Sequence, residues 1–425
     1  MILTVIALFL FFLITGLPVA FSAALTSAVC FYLFDFSSLT TVSHIMYSSL
    51  NNFSLVALPL FIIVGVIMSK GLLVKYMFEF ANSVFKNLRG GLGIAAIITS
   101  AVFAAISGSS LANAAALGMI LLPYMVKYGY DKGFTCGILA TGGTLGILIP
   151  PSLTMIVYGT ITEQSIGQCF MAGMLPGIFA TAVLSVFTFF WAGPKRVSRP
   201  VKEKLSLKEI ITCFKESFLI LLAPIIIIGG IYGGVFTADE SAAVGVAYCL
   251  VITIFYYKTI KIKDLPEIFA EGAVSSSQIM VVFSGVMVFA YIITISQVSN
   301  EIIEWIVNIG LSPLAFMLAV NLLLLFLGCL LDVISIMLIT IPIIYPVLLQ
   351  LGFHPLHIAV IYTINMEIGT ITPPIGMNLF ALSGSTGTPV AEVARGTLPY
   401  VVVMLIILGV IIMAPELSIW LPLRI

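Results

Sequence analysis

The chain has 425 residues, 61% of them hydrophobic and only 8% charged, against roughly 45–50% apolar and about 25% charged in a soluble domain. That excludes a soluble globular enzyme, and a formal net charge of zero says nothing about partners, so only the distribution of charge carries information. The apolar runs are roughly 17 to 25 residues long and lack strand-type alternation, so they define an all-α polytopic membrane protein rather than an outer-membrane barrel.

The first run, MILTVIALFLFFLITGLPVAFSAAL, begins apolar at Ile2 and lacks the basic start of a secretory signal, so it predicts a retained helix over 3–24. Further crossings are expected near 53–69, 134–160, 171–193, 217–236, 241–257, 273–298, 358–383 and 397–422. Lys and Arg cluster at 70–89, 127–132, 195–215 and 258–263, whereas the intervening loops carry Asp35, Glu163, Asp239 with Glu240, and Glu301 with Glu304. Basic loops stay in the cytoplasm, so the N-terminus is expected to be cytoplasmic. Segments 72–89 and 299–309 read as amphipathic interfacial helices. The six cysteines stand singly with no CxxC pair, and His354 and His357 form an HxxH without acidic or thiol company, which does not point to a metal centre.

Two apolar stretches do not fit this count. Residues 91–122 lie between two basic loops, so both ends must be cytoplasmic and a re-entrant helical hairpin is expected, its tip the small polar run ISGSSLANAAALG. Residues 313–346, centred on CLLDVIS, predict a second hairpin with Asp332 at its tip.

An offset of 223 positions (346 minus 123) superposes the two regions without a gap: Pro123 on Pro346, Gly129 on Gly352, Gly146 on Gly369, Pro150 and Pro151 on Pro373 and Pro374, Gly173 on Gly396, and Pro176 on Pro399. Five expected crossings separate the hairpins, an odd number, so the second unit is inverted relative to the first. The expected organisation is 1–90 N-terminal scaffold helices and an interfacial arm; 91–193 a first transport unit of hairpin 91–122, broken helix 134–160 and helix 171–193; 194–312 central scaffold helices and a second arm; and 313–425 an inverted unit of hairpin 313–346, broken helix 358–383 and helix 397–422. Inverted repeats with interrupted helices are the architecture of many secondary transporters.

Proline has no N–H and its ring crowds the preceding turn. Pro150 and Pro151 therefore leave the carbonyls of Gly146 and Ile147 without their helical donors, and Pro373 and Pro374 do the same to Gly369 and Thr370. Bare carbonyls attract a cation, and glycines such as Gly143 let the backbone approach one closely. Neutral oxygens add to two expected Na⁺ sites: Ser107 and Asn113 with Gly143, Gly146, Ile147 and Pro150 in the first, and Asp332, Thr372 and Asn378 with Gly369 and Thr370 in the second. The bland alternative is a pair of structural kinks.

None of the 18 Lys and Arg falls inside an expected crossing away from its ends. An anionic substrate would be held by helix N-termini and the hydroxyls of Ser109, Ser110, Ser152 and Ser335, completed by co-bound Na⁺. Glu367, well inside an expected crossing, is counted with the substrate-binding candidates and reads as proton relay, ion ligand or neutral structural acid. There is no GK dipeptide for a phosphate loop, no HExxH and no GxSxG, so an enzyme is not expected. An intramembrane aspartyl protease built on Asp332 and Glu367 is the remote enzymatic alternative.

The residues also resemble a known family. PIIIIGGIYGGVFTADESAAVG at 224–245, SGSSLANAAALGMILLP, GTLGILIPPS and GTITPPIGMNLF are similar to the signature, first hairpin, first broken helix and second broken helix of the large membrane subunit of TRAP transporters, the DctM family. The resemblance implies a Na⁺-driven elevator-type importer in a bacterial inner membrane. It also implies two partners, a small four-helix (DctQ-like) membrane subunit and a periplasmic (DctP-like) substrate-binding protein delivering an organic acid. Both sialic acid and C4-dicarboxylates are cargo within that family; the reading leans to a sialic-acid-like (SiaM-like) monocarboxylate. A stand-alone ion-coupled anion permease is the other reading.

Overall fold

Prolines, glycines and capping side chains set most helix boundaries in the computed structural model, which describes residues 2–34, 39–198 and 206–424. Asp35 and the part of the basic loop at 199–205 lie outside the described residues. Among the described residues the regular structure is helical, with one isolated bridge between Tyr130 and Val197 and turns or loops between the helices.

The expected first crossing is two helices, α1 (Ile2–Ile14) and α2 (Val19–Phe34). Gly16, at φ +85°, and Pro18 divide them, because the first takes a left-handed turn and the second cannot continue a helical ladder. Helix α3 (Leu39–Leu50) and α4 (Ala57–Lys70) follow. The amphipathic segment is α5 (Val74–Phe85), which packs on the first hairpin and on the helix at Leu207–Tyr232 rather than lying apart from the body.

Both hairpins form and are longer than expected. The first is α6 (Gly91–Ser107) and α7 (Ser110–Lys127), turned by Gly108 at φ +62°. Arms of 17 and 18 residues reach about 26 Å, close to the roughly 30 Å hydrocarbon thickness, so the tip lies deep. The first broken helix is α8 (Lys132–Leu148) and α9 (Leu153–Thr162), followed by α10 (Ile166–Trp191), which Ser165 caps five residues before the expected start. Next come α11 (Leu207–Tyr232), α12 (Ala238–Val251), which ends in a π turn at Ile252–Tyr256, and α13 (Leu265–Ile295). Helix α11 begins ten residues earlier than expected, with Ser206 as its cap and Lys208 and Lys215 in its first turns, where long basic stems reach the interface. The second amphipathic segment is α14 (Val298–Ile309).

The second hairpin is α15 (Pro313–Gly328) and α16 (Val333–Gln350), and the second broken helix is α17 (Pro355–Thr370) and α18 (Met377–Thr386). Helix α19 (Val390–Met413) starts and stops earlier than the expected 397–422, fixed by Pro389 before it and Pro415 after it; the short α20 (Glu416–Ile419) is separate. Both Pro–Pro peptide bonds, Pro150–Pro151 and Pro373–Pro374, are cis. Among the described residues nine helices are long and apolar enough to cross a membrane, and five of them, counting α8 with α9 as one, lie between the hairpins. The odd number turns the second unit over relative to the first.

Helices α8 and α17 form the centre, buried along nearly their whole length. Helix α8 packs on α6, α7 and α19, and α17 on α15, α10 and α19. Each second half-helix then leans on the opposite repeat: α9 packs on α16 and α18 on α7. The two repeats are therefore interlocked at the breaks. Glycine makes these crossings possible: a Cβ on Gly396 would fall 1.8 Å from the Gly133 carbonyl oxygen, and one on Gly369 2.5 Å from the Cα of Gly328.

Candidate functional site

Four helix N-termini converge on one cavity of about 380 Å³. Ser109 and Ser110 begin α7, Leu153 and Thr154 begin α9, Asp332 and Val333 border the start of α16, and Met377 opens α18; all line the cavity. Each helix start leaves unpaired N–H groups and the positive end of its dipole, so the cavity favours an anion without containing a cationic side chain.

The capping side chains follow the repeat. The Ser109 hydroxyl accepts the Ala112 N–H at 3.4 Å, and Asp332, at the equivalent position (109 plus 223), accepts the Ser335 N–H on Oδ2 at 2.9 Å. Asp332 is thus a helix cap at the hairpin tip, half-buried in the cavity wall, with Oδ1 left over. The same correspondence joins Asp131, which caps α8, to His354, which caps α17. His357 bonds Ser418 through Nδ1 at 3.1 Å, so the HxxH pair serves capping and packing. Among the described residues no cluster of three His, Cys, Asp or Glu could hold a metal ion, and all six cysteines are free.

The first hairpin tip lies beside the first break: a Cβ on Gly108 would stand 3.2 Å from the Pro151 carbonyl oxygen. Asn113 is fully buried; its Nδ2 donates to the Ser100 carbonyl at 3.2 Å while Oδ1 has no donor. The Ser107 hydroxyl is buried and unpartnered as well. Gly143 brings the backbone of α8 against that of α7, since a Cβ there would stand 3.2 Å from both the Ala114 nitrogen and the Ser110 carbonyl oxygen. The last amide of α8 is that of Ile149, bonded to the Leu145 carbonyl at 3.0 Å; Pro150 and Pro151 offer nothing to the carbonyls of Gly146 and Ile147. Thr141 of α8 also has a buried hydroxyl without a partner. Buried oxygens without donors are uncommon, and a bound cation is one way to satisfy them.

The second group differs in one respect from the expectation. The Gly369 carbonyl is not bare: after the break the Thr372 N–H turns back to it at 3.0 Å. The peptide chain reverses there because Gly376, at φ +59°, donates its N–H to the Cys329 carbonyl at 3.2 Å and so ties the break to the second hairpin tip. Thr370 and Thr372 donate their hydroxyls to the carbonyls of Glu367 and Ile368, at 2.7 and 2.6 Å, leaving oxygen lone pairs available. Asn378 is fully buried with neither side-chain atom partnered. Asn365, which sequence reasoning passed over, donates to Asn321 Oδ1 at 2.6 Å and keeps its own Oδ1 without a donor.

Of the residues expected to hold substrate, Ser109 and Ser110 line the cavity. Ser152 and Ser335 are buried behind its wall at the starts of α9 and α16. Glu367 is 1% exposed, both its oxygens lack a hydrogen-bond partner, and the Ser110 hydroxyl lies beside them outside bonding geometry. Ile147 and Thr370 also reach the cavity, so it touches both expected cation groups.

Two helical hairpins and two interrupted helices that meet at one polar cavity within a bundle of membrane-spanning helices define a membrane transporter. A family model, "Tripartite ATP-independent periplasmic transporter, DctM component", matches residues 6–417, and the chain belongs to that family as a TRAP transporter large permease. Among curated relatives, the C4-dicarboxylate TRAP transporter large permease protein DctM of Pseudomonas aeruginosa is 37% identical over 94% of this chain and 93% of its own. The sialic acid TRAP transporter large permease protein SiaM of Vibrio cholerae is 33% identical over 96% of each. The crystal structure of the Alcanivorax borkumensis YdaH transporter shares the fold, with a TM-score of 0.64, 14% identity and 98% of both chains covered.

Proposed function

We propose that this chain carries an organic acid anion across a bacterial inner membrane in symport with Na⁺, as the large subunit of a tripartite system. The other two components are a small four-helix membrane subunit and a periplasmic binding protein that delivers the acid. The observation that carries the Na⁺ reading is the cluster of buried, donor-free oxygens of Ser107 and Asn113 beside the break at Pro150. Such neutral oxygens suit a hard monovalent cation, and Asn378 and the Thr370 and Thr372 hydroxyls make the corresponding set in the second repeat. Because the cavity walls carry helix N-termini and not Lys or Arg, cation binding beside them strengthens anion binding, and linkage requires the reverse as well.

The hairpins and broken helices form the moving transport unit, and α13 with the N-terminal helices forms the scaffold. Gln278 of α13, which borders the cavity, stands seven residues beyond Glu271, itself paired with Lys70 at 2.9 Å. That separation is about 10 Å along the helix. The Lys70 end is the basic side of the protein, which supports a cytoplasmic N-terminus.

The test is uptake of labelled organic acids into proteoliposomes containing the two membrane subunits, with the binding protein outside. Uptake should require an inward Na⁺ gradient and the binding protein. Equal uptake with and without the gradient refutes Na⁺ coupling, and full activity of this chain alone favours a stand-alone permease.

A further inference from the structure

The wall of the cavity opposite the hairpin tips belongs to α13, which contributes Ser275 and Gln278. Helix α13 is clamped to the N-terminal helices. A Cβ on Gly272 would fall 2.6 Å from the Ile63 side chain on α4, and one on Gly285 2.5 Å from the Ala20 carbonyl oxygen on α2. Lys70 of α4 pairs with both Glu267 and Glu271, at 2.6 and 2.9 Å. This wall is therefore firmly held by the N-terminal helices, and α13 also packs on α16, whose start lines the same cavity.

Three serines in a row show which side chains are committed. The hydroxyls of Ser276 and Ser277 donate to the carbonyls of Gly272 and Ala273, at 2.6 and 2.7 Å, the usual way for serine to satisfy itself in an apolar helix. Ser275 and Gln278, which line the cavity, have no side-chain hydrogen bond to any described residue. Ser275 is half-buried and Gln278 exposed, so a free hydroxyl and a free carboxamide one turn apart are both open to whatever occupies the cavity. Across the cavity Asp332 is the one titratable side chain among the described lining residues, and no Lys, Arg or His accompanies it.

We propose that Ser275 and Gln278 are specificity residues that hydrogen-bond an uncharged hydroxyl or amide of the substrate while its carboxylate rests on the N-termini of α7 and α9. The cargo is then an acid that bears neutral hydrogen-bonding groups beside its carboxylate. A carboxamide placed to bond a substrate group discriminates against an acid lacking that group, because the carboxamide is then left unpaired. The inference rests on the anion-transport reading above.

It is tested by isothermal titration of the complex of this chain with its small membrane subunit, in lipid nanodiscs at saturating NaCl, with N-acetylneuraminate, gluconate and succinate. The wild type should bind the two hydroxylated monocarboxylates more tightly than succinate. Gln278→Leu should weaken them by roughly three- to tenfold, as loss of one hydrogen bond implies, and leave succinate unchanged; Ser275→Ala should do the same more weakly. Gln278→Asn should retain part of the preference, and Na⁺-induced thermal stabilisation, read in every variant, shows that each is folded. Wild-type preference for succinate, or variants that weaken all three acids alike or none, overturns the inference while leaving Na⁺-dependent anion binding intact. If the wild type binds no acid in either Na⁺ or choline buffer, the transport reading falls and this one with it.

Discussion

Replacing Asn113 by Ala separates an ion ligand from a structural residue, because the side chain has two unlike ends. Its Nδ2 makes one long bond, 3.2 Å to the Ser100 carbonyl, while the buried Oδ1 has no donor. In Na⁺-free buffer the substitution removes a hydrogen bond worth about 0.5–1.5 kcal/mol and also removes an unsatisfied buried acceptor that costs about 1–3 kcal/mol. The two nearly cancel, so the melting temperature without Na⁺ should move little. In saturating Na⁺ the wild type gains an ion–oxygen contact that Ala cannot make. Taking roughly 1.5–3 kcal/mol for an interaction with a charged partner, Na⁺ affinity should fall about ten- to a hundredfold. The assay is thermal unfolding of the purified protein across a NaCl titration at constant ionic strength, with choline as the replacement cation. The midpoint of stabilisation should shift to higher Na⁺ while the choline baseline stays put. An unmoved midpoint refutes the ligand assignment, and an equal loss of stability in both buffers reduces Asn113 to a packing residue.

The double substitution Pro150→Ala with Pro151→Ala restores two N–H groups that can bond the carbonyls of Gly146 and Ile147; Na⁺-dependent uptake and Na⁺ stabilisation should both be lost while the protein still inserts, and wild-type coupling would reduce the break to packing. Gly369→Ala places a Cβ 2.5 Å from the Gly328 Cα and 2.6 Å from its carbonyl carbon, so α15 and α17 must separate. A loss of about 1–3 kcal/mol or more is expected in thermal unfolding, whereas Gly384→Ala, with open space within 4 Å, should be neutral or stabilising; equal effects of the two would contradict the crossing.

Much of the architecture was legible because its signals are local. Pro150–Pro151 and Pro373–Pro374 end helices wherever the chain places them, and the small run around Gly108 turns a hairpin regardless of its neighbours. Hydrophobic length and the spacing of basic loops then give the crossings. The split at Gly16 and Pro18 has an equally local signal, but the run of apolar residues on either side concealed it, and one helix was expected where two form. Asp332 was visible as an acid deep in an apolar segment, and the serine three positions on marks it as a helix cap.

What composition and pattern determine by themselves is a helical membrane protein with an inverted repeat, two hairpins and two interrupted helices, since covalent geometry and the absence of an N–H act within a few residues. Tertiary structure alone decides what meets at the breaks. It brings four helix starts to one cavity, closes the Gly369 carbonyl with the Thr372 amide, leaves Asn365 and Glu367 with unpaired oxygens, and supplies a polar wall from α13. Gln278 lies some 54 residues before Asp332 (332 minus 278) and far from Ser109 in the chain. No local rule connects them; only the packing of α13 against the hairpin tips sets which free hydrogen-bonding groups a substrate would find.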